Sequence, residues 1–128
     1  MKRKYLDDID ITDRPDLWNP HDSRQKQWKK ERSIYGFDER ETWGMDFTFY
    51  CWLYERLMRF LDVANFDMNY HEFEYEGEVL TQKQCIDRML EGLKIALTKN
   101  WTEQTDDDSK KVDDIAHIWA LVLPAMWW

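Results

Sequence analysis

The chain has 128 residues, of which 43% are hydrophobic and 34% charged, with only four glycines and three prolines. That length fits one globular domain, and the composition argues against disorder and against an all-β design built on tight turns. The net charge of −8 is uneven, with nine Lys/Arg against seven Asp/Glu in residues 1–35 and nine against nineteen in residues 36–128; an acidic body of this kind repels phosphate backbones and attracts basic protein surfaces.

The N-terminal stretch MKRKYLDDIDI starts basic but has no apolar run after it, so a signal peptide is not expected. Nothing in the chain approaches the length of a membrane span, and a cytoplasmic location is the expectation. Residues 1–18 show no helical face and read as an extended arm, followed by a single helical domain over 19–128. The run Asp7 to Asp13 is rich in acid but lacks the glycine and terminal glutamate of a calcium loop.

Asn19-Pro20 reads as a cap and first helical position, predicting a helix from Pro20 to Tyr35 that stops at Gly36. Its apolar anchors are Trp28 and the Ile34-Tyr35 end, and Arg24, Lys26, Lys29, Lys30 and Arg32 give it a basic side. A second helix is predicted over 38–63, with Asp38 and Glu41 as a capping pair. Trp43, Phe47, Tyr50, Cys51, Tyr54, Leu57, Met58 and Leu61 recur at helical spacing, and Phe49, Trp52, Leu53 and Phe60 widen the stripe, marking the central helix. Asp46 falls on or beside that stripe, where a carboxylate needs a partner.

Between 64 and 80 the period changes. Phe73, Tyr75 and Val79 share one parity and Glu72, Glu74, Glu76 and Glu78 the other, which predicts an extended or hairpin segment near 68–80. Thr81 and Gln84 form a capping box for a helix ending near Lys99-Asn100. A last helix, capped by one of Asp106, Asp107 and Asp108, carries Val112, Ile115, Ala116, Trp119 and Val122 and ends at Pro124. The fold class is therefore mainly α: a compact bundle of about four helices with one short extended insert.

No complete catalytic, cofactor or metal motif appears, and no cofactor is expected. A dinuclear metal bundle needs two Glu-x-x-His motifs, whereas Asp114-x-x-His117 occurs once. Asp46, Asp87, Glu91 and Asp113 form the carboxylate set that a magnesium-dependent, all-helical nucleotide pyrophosphatase would use, an alternative reading of function. Cys51 and Cys85 lie in apolar patterns and read as reduced, buried side chains, with a disulfide as the alternative.

Eight Trp, six Tyr and six Phe exceed what so small a core readily hides. Some are therefore expected on a partner surface, where aromatics concentrate binding energy. The expected binding residues are Tyr70, Glu72, Glu74, Tyr75, Glu76 and Glu78, the acids Asp106, Asp107 and Asp108, and the terminal Trp127 and Trp128. The expected partner is a protein with a basic surface rather than nucleic acid or membrane. A structural or assembly role, with self-association through Trp127 and Trp128, stands beside it.

The stretch Tyr35 to Phe60 carries Gly36-Phe37, Asp38 to Arg40, Trp43, Asp46-Phe47 and Leu53 to Leu57. This pattern resembles one found in small uncharacterised proteins encoded by bacteriophages and prophage-like elements. The resemblance implies an accessory protein of a mobile element, working in bacterial cytoplasm, and brings no activity with it. It makes host-directed action an expectation, such as inhibition of a nucleic-acid-binding defence protein of the CRISPR effector kind.

Overall fold

A computed structural model describes residues 3–11, 21–68 and 70–127. Six α-helices are present among them: α1 (Lys4–Asp7), α2 (Gln25–Tyr35), α3 (Arg40–Trp43), α4 (Met45–Val63), α5 (Gln82–Thr98) and α6 (Asp106–Val122). A two-stranded antiparallel hairpin, β1 (Glu72–Tyr75) and β2 (Glu78–Thr81), precedes α5. The mainly helical fold with one short hairpin is the one the sequence predicts.

The core lies where α4, α5 and α6 meet. Leu53, Tyr54 and Leu57 of α4 pack with Cys85, Ile86, Met89, Leu93 and Leu97 of α5 and with Ile115, Ile118 and Val122 of α6. α5 and α6 run antiparallel: Gln82 bonds the carbonyl of Ala125 at one end, and Lys99 pairs with Asp108 at the other. Between those ends Gly92 lets the helices touch, because a Cβ there would stand 2.3 Å from the carbonyl oxygen of Lys111. Both helices start at complete capping boxes, Thr81 with Gln84 and Thr105 with Asp108. The cap of α6 is thus Thr105 rather than one of the three aspartates, since a hydroxyl and the reciprocal acid three residues on satisfy two free N–H groups together.

Several expectations need correction. The expected extended arm is helical over Lys4–Asp7, and Leu6 is wholly buried in the main core against α4. Residues 12–18 of that arm, and the expected cap and first position Asn19-Pro20, lie outside the described residues. α2 begins at Gln25, not Pro20, after a turn in which Asp22 accepts from the backbone and guanidinium of Arg24. Its end is as expected, with Gly36 in the left-handed region at φ 84°. Ile34 and Tyr35 are exposed and anchor nothing.

The helix predicted over 38–63 is broken at Gly44 into α3 and α4. Asp38 caps neither. It is buried and accepts from the backbone and guanidinium of Arg40 and from Arg32. The same region holds Trp28, 1% exposed yet outside the main core. Arg40 lies over its ring at 4.4 Å and Arg24 at 5.1 Å, Trp43 meets it edge-on at 5.9 Å, and its indole N–H donates to Glu39. α2 and α3 are therefore joined by a polar and cation–π cluster of their own.

Candidate functional site

The hairpin turns at Glu76 and Gly77, both at positive φ (51° and 80°), as a two-residue turn of the strand-matching hand requires. Phe73 stands opposite Leu80 and faces the core, while Glu74 stands opposite Val79 and faces out. The single-parity expectation therefore fails beyond the turn. A two-residue loop pairs odd positions with even ones, so Leu80 is buried and Val79 exposed.

Two of the four hairpin glutamates tie the hairpin to the bundle. Glu78 pairs with Arg88 at 2.6 Å and Glu76 with Lys110 at 2.7 Å. Lys110 also pairs with Asp114, to which the Tyr75 hydroxyl donates. Burial and the Asp114 carboxylate push the Tyr75 phenol up to about 12, and Asp114 and Glu76 raise the Lys110 ammonium. Glu72 and Glu74, by contrast, are exposed and face outward. Tyr70, beside them in sequence, is 83% exposed. Trp127 is also exposed and meets the His71 ring edge-on at 5.6 Å, placing the chain's last described residue at the open end of the hairpin. Trp128 lies outside the described residues.

The acids at the start of α6 divide similarly. Asp106 and Asp107 are exposed, and Asp107 reaches Lys111 at 3.2 Å. Asp108 is buried and engaged: the Lys99 ammonium and the N–H of Thr105 hold its carboxyl below the usual range. It closes the cap and is not free for a partner. The sequence reading missed Trp101, in the turn between α5 and α6, which is 83% exposed beside Glu103, Asp106 and Asp107. The signal available was its position: an indole in a polar connection, off any helical stripe. Helical spacing puts Asp106, Lys110 and Asp114 on one side of α6, the side against which the hairpin turn rests. Exposed acid thus borders both ends of this side, with Trp101 at one end and Tyr70 and Trp127 toward the other.

A second aromatic surface was also missed. Phe49 and Trp52 of α4 stack at 6.1 Å, and Trp119 of α6 meets Trp52 nearly at right angles at 6.5 Å. Arg56 covers Trp52 at 4.6 Å. Trp52 was expected in the core stripe, but the wide stripe exceeds the arc that α5 and α6 cover.

The carboxylates considered for magnesium do not converge. Asp46 is exposed in the first turn of α4, where it accepts from the N–H of Phe47 and suits the positive helix end. The break at Gly44 puts it there rather than among the buried aromatics. Asp87 pairs with Lys83 and Glu91 with Lys111. Asp113 is exposed, and together with Asp46 it raises the Tyr50 phenol, an effect secondary to burial. Among the described residues no group of three or more His, Cys, Asp or Glu side chains is placed to hold a metal ion. Cys51 and Cys85 are both buried, and burial pushes the Cys85 thiol up. No helix of the described residues is long and apolar enough to cross a membrane.

No family model, curated protein or solved structure matches the chain.

Proposed function

We propose that this protein is a binding module that presents an acidic, aromatic-studded side to a basic protein. In this reading it is an accessory protein of a phage or related element, acting in bacterial cytoplasm. Its target is a defence protein whose basic surface otherwise holds nucleic acid, such as a CRISPR effector. The observation that carries the reading is the pairing of protruding aromatics with unpaired acid: Tyr70 with Glu72 and Glu74, and Trp101 with Glu103 and Asp106. Large exposed aromatics are the residue type that concentrates binding energy at interfaces, and surrounding like charge steers an oppositely charged partner.

The test is capture from lysate of an infected bacterial host, using the whole chain and a Tyr70→Ala/Trp101→Ala variant. The expected result is salt-sensitive recovery of one basic nucleic-acid-handling protein, displaced by added DNA and weakened about tenfold or more by the variant. Recovery of the bait alone, or of virion proteins, would sink the reading.

A further inference from the structure

Among the described residues, ten basic side chains of this acidic chain are in ion pairs: Arg3, Arg24, Arg32, Arg40, Arg56, Lys83, Arg88, Lys99, Lys110 and Lys111. Lys4, Lys26, Lys29, Lys30, Arg59 and Lys94 have no ion pair among the described residues, and of these Lys26, Lys29 and Lys30 stand exposed together on one helix, α2. Lys26, Lys30 and Ile34 follow each other at four-residue spacing, a single line along the helix. Ile34 is 60% exposed, and Tyr35 and Phe37 beside it form a second exposed pair, 6.2 Å apart. This helix face is basic at one end, apolar at the other, and uncovered.

We infer that this face of α2 docks on the outer face of the hairpin in a second copy of the chain. Charge and spacing both point to that occupant. Glu72 and Glu74 share the outward face of β1, Val79 stands opposite Glu74 on that face, and the exposed Tyr70 precedes the strand by two residues. Neither glutamate has a basic partner among the described residues, unlike Glu76 and Glu78. On an α-helix, positions four apart rise about 6 Å. On a strand, positions two apart are separated by about 6.7 Å. Laid antiparallel, Lys30 meets Glu72 and Lys26 meets Glu74 in register, and the apolar end of the helix at Ile34 is carried toward Tyr70. In a two-fold dimer each copy gives its helix to the partner and receives the partner's, so the contact forms twice. A nucleic acid could also use three lysines, but the net charge of −8 opposes its approach, whereas a second copy brings the complementary acid within a local, matched patch.

Self-association covers the hairpin acid that the proposed basic partner would use, so dimer and complex compete. The two readings fail separately, because the dimer is tested with the purified chain alone. Sedimentation velocity over a concentration series should show self-association at low salt that dissociates at high salt. Lys26→Glu/Lys30→Glu and Glu72→Lys/Glu74→Lys should each weaken it about tenfold or more, with unchanged circular dichroism. Mixing the two variants should restore association as a heterodimer. A wild-type chain that stays monomeric at every concentration, or variants that associate as the wild type does, would overturn the inference. So would a mixture that fails to recover association. Binding of single-stranded DNA by a monomeric wild type, lost in Lys26→Glu/Lys30→Glu, would assign the lysines to a polyanion instead.

Discussion

Asp38 is the residue on which the attachment of α3 to α2 turns. Its carboxylate accepts three hydrogen bonds from Arg40 and one from Arg32 while almost wholly buried. The Arg40 guanidinium, assisted by Arg32, holds it at about 2 against an ordinary 3.8. A depressed acid stabilises the fold fully above its unfolded value and loses that contribution as the pH falls through the folded one. The window here runs from about 4 down to 2, and the shift corresponds to at most about 2 kcal/mol. Asp38→Asn should therefore unfold at lower urea than the wild type near neutral pH. The two should converge as the pH approaches 2; a gap that persists there would assign the loss to packing. Tyr75 has the opposite sign. Its phenol is neutral in the fold and raised to about 12, so its contribution is complete below about 10 and is lost as the pH rises through 12. Tyr75→Phe should cost about 1 kcal/mol at neutral pH, and absorbance titration should lose the last-ionising tyrosine.

At the scale of elements, the closest helix pair depends on Gly92. Alanine is the better helix former by about 1 kcal/mol, but the added Cβ meets the Lys111 carbonyl oxygen at 2.3 Å and Ile115 at 2.9 Å. Backbone cannot give way as a side-chain tip can, so overpacking wins and Gly92→Ala should destabilise by about 2 kcal/mol or more in urea unfolding. A neutral outcome would mean that α5 and α6 separate freely. The elements themselves were legible where one local rule decided the matter. Thr81 and Gln84 marked the start of α5, Gly36 the end of α2, and alternation the hairpin. Gly92 carried no such mark, because close helix approach is a relation between distant segments. The break at Gly44 was hidden by the apolar stripe that continues through Trp43 and Phe47. Glutamates 76 and 78 looked like their neighbours 72 and 74, since nothing local says that Lys110 and Arg88 will reach them. The candidate site was legible as composition, and the split between tethered and outward-facing acid was a property of the fold.

At the scale of the molecule, the chain combines two differently held parts. α4, α5 and α6 share one apolar core, which Leu6 and Leu80 complete. α2 contributes a single buried residue, Trp28, and that indole lies outside the core, among Arg24, Arg40, Trp43 and Glu39. An eleven-residue helix is too short to persist alone in water. Removing its one buried anchor should therefore melt α2 and leave the bundle standing. In Trp28→Ala, hydrogen exchange over 25–35 should become fast, while amides of α5 and α6 keep their protection and the main unfolding midpoint stays near that of the wild type. If instead the whole chain loses about 3–5 kcal/mol in a single transition, as deletion of a core aromatic does, α2 belongs to the same cooperative unit. The distinction bears on function. A helix held by one buried side chain and the Arg32–Asp38 pair can carry its lysine face away from the bundle, and Trp28→Ala should then lower self-association with every lysine and glutamate of that contact still in place.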